Sequence, residues 1–119
     1  MKRGRVEKVE KALGVELPRD YADFLEREGI GQRGETEIYG YREDVTDLGK
    51  IPCVVGATRL YGATRELPPR FLVVAHTGFE DVVAVLDAET GKVHEAGREG
   101  MREVAASFGE WLRGLEGGG

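Results

Sequence analysis

The sequence has a single cysteine, Cys53, and only two histidines, His76 and His94. One cysteine excludes a disulfide within the chain and a metal site built from several cysteines. No apolar run approaches the roughly 20 residues that a membrane-spanning helix needs. The first residues lead into a charged segment rather than into the apolar stretch of a signal peptide, so we expect a cytoplasmic chain.

Nucleotide-binding loops are also missing. The chain has 18 glycines but no Gly-x-Gly-x-x-Gly pattern and no Walker loop, and we predict no cofactor. Acidic residues outnumber basic ones, since the chain has 22 aspartates and glutamates and 17 lysines and arginines, which gives a formal net charge of −5. This balance argues against nucleic-acid binding and favours a basic partner.

The 119 residues suffice for one domain with a sizeable core, which we place at residues 1–116, followed by a flexible glycine tail at 117–119. A first helix is predicted for residues 3–13. A second is predicted within residues 17–31, where Pro18 suits the first helical position and Gly29 suits a left-handed residue after the helix. Tyr21, Phe24 and Leu25 fall on one face of this helix.

The second half of the chain predicts a sheet. Residues 71–76, 82–86 and 92–96 are rich in strand formers, and their short connections require antiparallel neighbours. The apolar segment 82–86 suggests a central strand that is buried on both faces. Ser107 and Glu110 form a capping box for a last helix. The sequence therefore predicts an α+β fold, an antiparallel-rich sheet with helices from both chain ends packed on it, and a core that includes Phe24, Leu25, Phe71, Val73, Val83, Val85, Phe108, Trp111 and Leu112.

The middle of the chain is less regular. Residues 37–41 predict a short strand and residues 42–50 a charged loop. Residues 51–55 contain Pro52 and predict an edge strand at best. Residues 57–66 predict a short helix with Leu60 and Tyr61 directed inward, and residues 101–106 suit either a strand or a helical turn.

Two groups of residues have the side chains that a catalytic or a metal site needs. Cys53 with His76 and His94 would supply a nucleophile and a base if they met in space. The two histidines with Glu80, Asp81 and Glu95 have side chains that suit zinc, but no local spacing brings them together. A small buried thiol and two ordinary strand histidines are the favoured interpretation, so we predict neither a catalytic nor a metal site.

Three segments in order resemble the SUKH superfamily. These are LPRDYADFLEREGIG at residues 17–31, LPPRFLVVAHTGFEDVVAVLDAETGKV at residues 67–93, and SFGEWL at residues 107–112. The superfamily includes bacterial immunity proteins of polymorphic toxin systems and fungal regulators of cell-wall synthesis. The resemblance implies a non-enzymatic module that binds and neutralises a toxin, such as a basic nuclease. A regulatory scaffold without a toxin, and a small hydrolase that uses Cys53 or a histidine, are the alternatives.

An acidic stretch with interleaved tyrosines is the candidate binding surface. Tyrosine is enriched at interfaces because it combines apolar area with a polar group. The alternative is a charged loop beside a strand whose tyrosines lie partly in the core. The candidate protein-binding residues are Glu37, Tyr39, Tyr41, Glu43 and Asp44, with the turn residues Glu80 and Asp81.

Overall fold

A computed structural model describes residues 4–44, 47–79 and 81–117. Within these residues the chain forms four helices and six strands. In chain order they are α1 (Gly4–Leu13), α2 (Arg19–Arg27), β1 (Gly31–Arg33), β2 (Thr36–Ile38), α3 (Val54–Arg65), β3 (Phe71–His76), β4 (Val83–Asp87), β5 (Val93–Gly97), β6 (Gly100–Ala105) and α4 (Phe108–Gly117). No helix in these ranges is long and apolar enough to cross a membrane.

The six strands form one antiparallel sheet in which each strand pairs with its neighbours in sequence. The connections between β3, β4 and β5 are too short for parallel crossovers, which is why the sheet is a meander. All five residues of β4 are buried, as expected for a central strand with packing on both faces. The predicted α+β class and antiparallel sheet are confirmed.

Helices cover both faces of the sheet. A Cβ added at Gly31 would lie 3.2 Å from the Phe24 ring of α2. Gly31 pairs with Ile38 and Ile38 pairs with Ala75, and paired residues lie on the same face of the sheet, so Ala75 is on the α2 face. His76, the next residue of β3, has its side chain on the other face because strand side chains alternate. Its ring centroid lies 6.3 Å from that of Tyr61 in α3, so α2 and α3 lie on opposite faces.

The helix ends follow their sequence signals. Pro18 is the cap residue rather than the first helical residue of α2, and Gly29 adopts a φ of 78° with its N–H donating to the Phe24 carbonyl at 3.1 Å. The Glu110 N–H donates to Ser107 Oγ at 3.1 Å, as the capping box predicts. Every predicted core residue is buried. The predicted tail is helical at Gly117, and its last two residues lie outside the described residues.

The middle region departs from its predictions. Strand β2 ends at Ile38, and β1 was not predicted. Residues 51–55 are not an edge strand, because Cys53 caps α3 and the helix begins at Val54. The Gly40 N–H donates to the Pro52 carbonyl at 3.2 Å, which holds this segment against the end of β2. Residues 101–106 resolve into β6, which ends at Ala105.

Two buried tyrosines are expected to make the fold sensitive to alkaline pH. Tyr21 and Tyr39 are both buried, the Tyr21 hydroxyl donates to the Tyr39 carbonyl at 2.8 Å, and burial raises the pKa of both phenols. Unfolded tyrosines ionise near pH 10. The free energy of unfolding is therefore independent of these two phenols below about pH 10. Above about pH 10 it falls by about 1.4 kcal/mol per pH unit for each tyrosine, because the unfolded chain loses its phenol protons first. Urea unfolding between about pH 9 and 11 measures the slope.

The Tyr21→Phe variant isolates the contribution of one phenol. It leaves the Tyr39 carbonyl without this donor, which is expected to cost about 1–3 kcal/mol at neutral pH. Its stability should then fall less steeply with alkaline pH than that of the original chain. Equal slopes for the two proteins would contradict the assignment.

Candidate functional site

The acidic stretch is divided between surface and core. Glu37, Glu43 and Asp44 are exposed, whereas Tyr39 and Tyr41 are only 2% and 7% exposed. The structure therefore corrects the expectation that these two tyrosines face a partner. The Tyr39 N–H donates to the Val74 carbonyl at 2.7 Å, so backbone pairing continues past β2 and carries the ring into the core.

Glu43 and Asp44, which we call the Glu43 patch, lie beside α1. The Arg5 guanidinium donates to Glu43 at 2.8 and 3.0 Å, and its third nitrogen donates to the Leu25 carbonyl at 3.0 Å. The hydrogen bond from Arg5 holds the pKa of Glu43 below its ordinary value. Asp44 pairs with Arg42 at 3.4 Å. The Glu43 and Asp44 side chains are 70% and 72% exposed, so both carboxylates remain accessible to a partner.

Glu37 and Asp81, which we call the Asp81 patch, lie toward the other end of β2. Glu37 pairs with His76 in the sheet, at the point where β3 enters its turn. A Cβ added at Gly78 in that turn would lie 2.9 Å from the Glu35 side chain, so the turns after β1 and β3 touch. Asp81 pairs with Arg98 at 3.4 Å, and Glu80 lies outside the described residues. The candidate carboxylates thus form two patches rather than one surface.

The structure does not bring Cys53, His76 and His94 together in one site. Cys53 is fully buried at the start of α3, and His76 Nδ1 accepts a hydrogen bond from the Gly78 N–H at 3.0 Å. His94 lies on β5, with β4 between it and β3. Since neighbouring strands are about 4.8 Å apart and the residue of β5 in register with His76 is Ala96, the two histidines are separated by more than about 10 Å. Among the described residues, no group of three His, Cys, Asp or Glu side chains is placed to hold a metal ion.

An open groove of about 850 Å³ lies between the C-terminal half of α3 and the turn that joins β5 to β6. Its lining is mostly apolar, with Asp81 and Arg98 at the rim. Leu60 and Met101 are 53% and 42% exposed, and Phe79, two residues before Asp81, is 69% exposed. Exposed apolar residues such as Leu60 and Met101 that line one concave site are typical of protein interaction surfaces. The apolar lining residues are Leu60, Tyr61, Leu67, Pro68, Ala96 and Met101.

Sequence reasoning missed this groove because it placed Leu60 inside. Consecutive helical residues point about 100° apart, so Leu60 and Tyr61 do not both face the sheet. Tyr61 is the half-buried one, and Leu60 points outward. The adjacent pair was the available signal that one of these apolar side chains is exposed.

The family model SUKH_5, described as SMI1-KNR4 cell-wall, matches residues 1–115. The chain belongs to the SUKH superfamily. SUKH domains are in general protein-binding domains, and both acidic patches and the groove of this SUKH chain lie within the matched residues. A search of curated proteins found no match.

Proposed function

We propose that this SUKH chain is a non-enzymatic, cytoplasmic immunity protein that neutralises a toxin by binding it directly. The observation that carries the proposal is the family match over residues 1–115. A net charge of −5 and the exposed carboxylates of the two patches support a basic partner, such as a nuclease whose active site binds phosphates.

The proposed mechanism is electrostatic attraction followed by contact. Carboxylates at Glu37, Glu43, Asp44 and Asp81 are exposed, and cations of a partner compete with Arg5, Arg42 and Arg98 for the last three of them. Complementary charge speeds encounter and rejects partners of the wrong sign. Since Tyr39 and Tyr41 are buried, the apolar contact area has to come from other exposed residues.

Charge reversal in the Glu43 patch is expected to slow association. We expect the Glu43→Lys and Asp44→Lys double variant to bind the protein that co-purifies with the chain about tenfold more slowly. Raising the ionic strength from about 0.01 M to 0.15 M shortens the Debye length from about 30 Å to 8 Å and should slow the original chain as well. Stopped-flow or surface-based kinetics measure both effects.

A matched control separates local charge from net charge. Glu16→Lys with Glu110→Lys makes the same change in net charge at two exposed positions outside both patches. This control should slow association much less than the Glu43 patch variant. An association rate that changes neither with salt nor with the charge reversal at Glu43 and Asp44 would reject the acidic-surface mechanism.

A regulatory scaffold without a toxin is the second candidate function. The term cell-wall in the description of the matching family favours it. Expression of the co-purifying partner separates the two functions. A partner that arrests growth alone and is tolerated with the SUKH chain supports immunity. A harmless partner supports the regulatory function.

A further inference from the structure

Strand β6 forms one edge of the sheet, and no described strand pairs with its outer side. It is six residues long, and residues 100–104 are all exposed. An edge strand presents unpaired N–H and C=O groups, which can pair with another extended chain. The edge also carries two exposed apolar side chains, Met101 and Val104.

The apolar groove lies directly beside this edge. The register connects Met101 of β6 to Ala96, Val83 and His76 in turn, and His76 is on the face that α3 covers. Met101 therefore belongs both to the open edge and to the groove lining. A chain that extends the sheet at β6 would place every second side chain on the groove face.

The charges around the edge favour a basic segment. The groove and the adjoining depression on β5 and β6 are bordered by four carboxylates and two guanidinium groups. Asp81 and Glu95 each pair with one of the arginines at 3.4 Å. The excess of negative charge is complementary to lysine or arginine side chains. The charged residues are Glu66, Asp81, Glu95, Glu99, Arg98 and Arg102.

We propose that β6 and the adjoining groove bind an extended segment of a partner protein in which apolar and basic side chains alternate. The segment pairs with the outer edge of β6 and places an apolar side chain beside Met101, against Leu60. This inference rests on the proposed protein-binding function and names a surface for it. It is distinct from the Glu43 patch, which lies beside α1.

A second copy of the chain fits this edge poorly. Two antiparallel edges related by a two-fold axis place the central residue opposite its own copy. The two registers that pair most of the strand are centred on Arg102, which opposes two guanidinium groups, and on Glu103, which opposes two carboxylates. Centring the pairing on Met101 or Val104 instead leaves only about three residues of each six-residue strand paired. Like charges directly opposite each other destabilise a strand pair.

Two synthetic peptides test the proposal: one alternates valine and lysine, and the other alternates valine and glutamate. Each is about ten residues long, which exceeds the six residues of β6. Titration into the ¹⁵N-labelled chain is expected to show that the lysine peptide shifts the amides of residues 97–105 and slows their hydrogen exchange. The Leu60→Lys and Met101→Lys double variant should bind this peptide at least about tenfold more weakly. Ile51→Lys replaces an exposed apolar residue that does not line the groove and should leave binding unchanged.

Three results would overturn the inference. They are equal binding of the glutamate peptide, shifts that leave β6 unaffected, and self-association of the chain through β6 without peptide. None of them bears on association of the co-purifying protein through the Glu43 patch, which the charge-reversal kinetics measure. Conversely, loss of the charge effect at Glu43 would leave the peptide titration valid.

Discussion

Replacing Gly40 with alanine is expected to destabilise the folded chain strongly. Gly40 is buried where three elements meet: its N–H donates to the Pro52 carbonyl at 3.2 Å, and its own carbonyl accepts from the Val54 N–H at 2.8 Å. An added Cβ would overlap the backbone oxygen of Gly29 and lie 3.0 Å from the Leu25 side chain. Backbone cannot move aside as a flexible side chain can, so the end of β2 would separate from α2.

The expected loss exceeds about 3 kcal/mol, because the overlap is with backbone in a close-packed interior. Urea unfolding followed by circular dichroism measures it. Gly62→Ala is the matched control, since Gly62 lies inside α3 and its added Cβ meets no atom within 4 Å. That change should stabilise the helix by about 0.5–1 kcal/mol. Equal stability of the two variants would show that the approach of Gly40 to Gly29 is misplaced.

Truncation of Phe24 to alanine is the second large effect that we expect. Phe24 is fully buried, its ring centroid lies 5.4 Å from that of Phe108 in α4, and its edge faces Gly31 of β1. The ring therefore connects α2, α4 and the sheet. Removing a buried phenylalanine side chain costs about 3–5 kcal/mol, through lost burial and the cavity that remains.

Phe79→Ala makes the same chemical change at a residue that is mostly exposed. Chemical denaturation should show a loss within about 0.5 kcal/mol for this control. A loss below about 1 kcal/mol for Phe24→Ala would mean that the ring is peripheral and that α2 does not organise the core.

The elements that the sequence predicts well are those whose determinants are local. The α2 helix carries Pro18 at its start and Gly29 at its end, and the capping box at Ser107 starts α4. The central strands are recognisable because β4 is apolar throughout and its connections are short. In each case the deciding residues lie within a few positions of one another.

The remaining features depend on contacts between distant segments. Residues 51–55 resemble an edge strand locally, but pairing of Gly40 with Pro52 and Val54 makes them the start of α3. The groove needs α3 and the turn between β5 and β6, which are more than 30 residues apart in the sequence. The division of the acidic stretch into two patches likewise follows from Arg5, which draws Glu43 toward α1. No periodicity in the sequence encodes these contacts.

Hydrogen exchange of the chain, alone and bound to the protein that co-purifies with it, tests whether the Glu43 patch and β6 bind a partner. We expect slower exchange on binding in the segment around Glu43 and Asp44 and in β6, with α4 unchanged. Protection confined to α4 and the solvent face of α1, with none at either predicted surface, would contradict it.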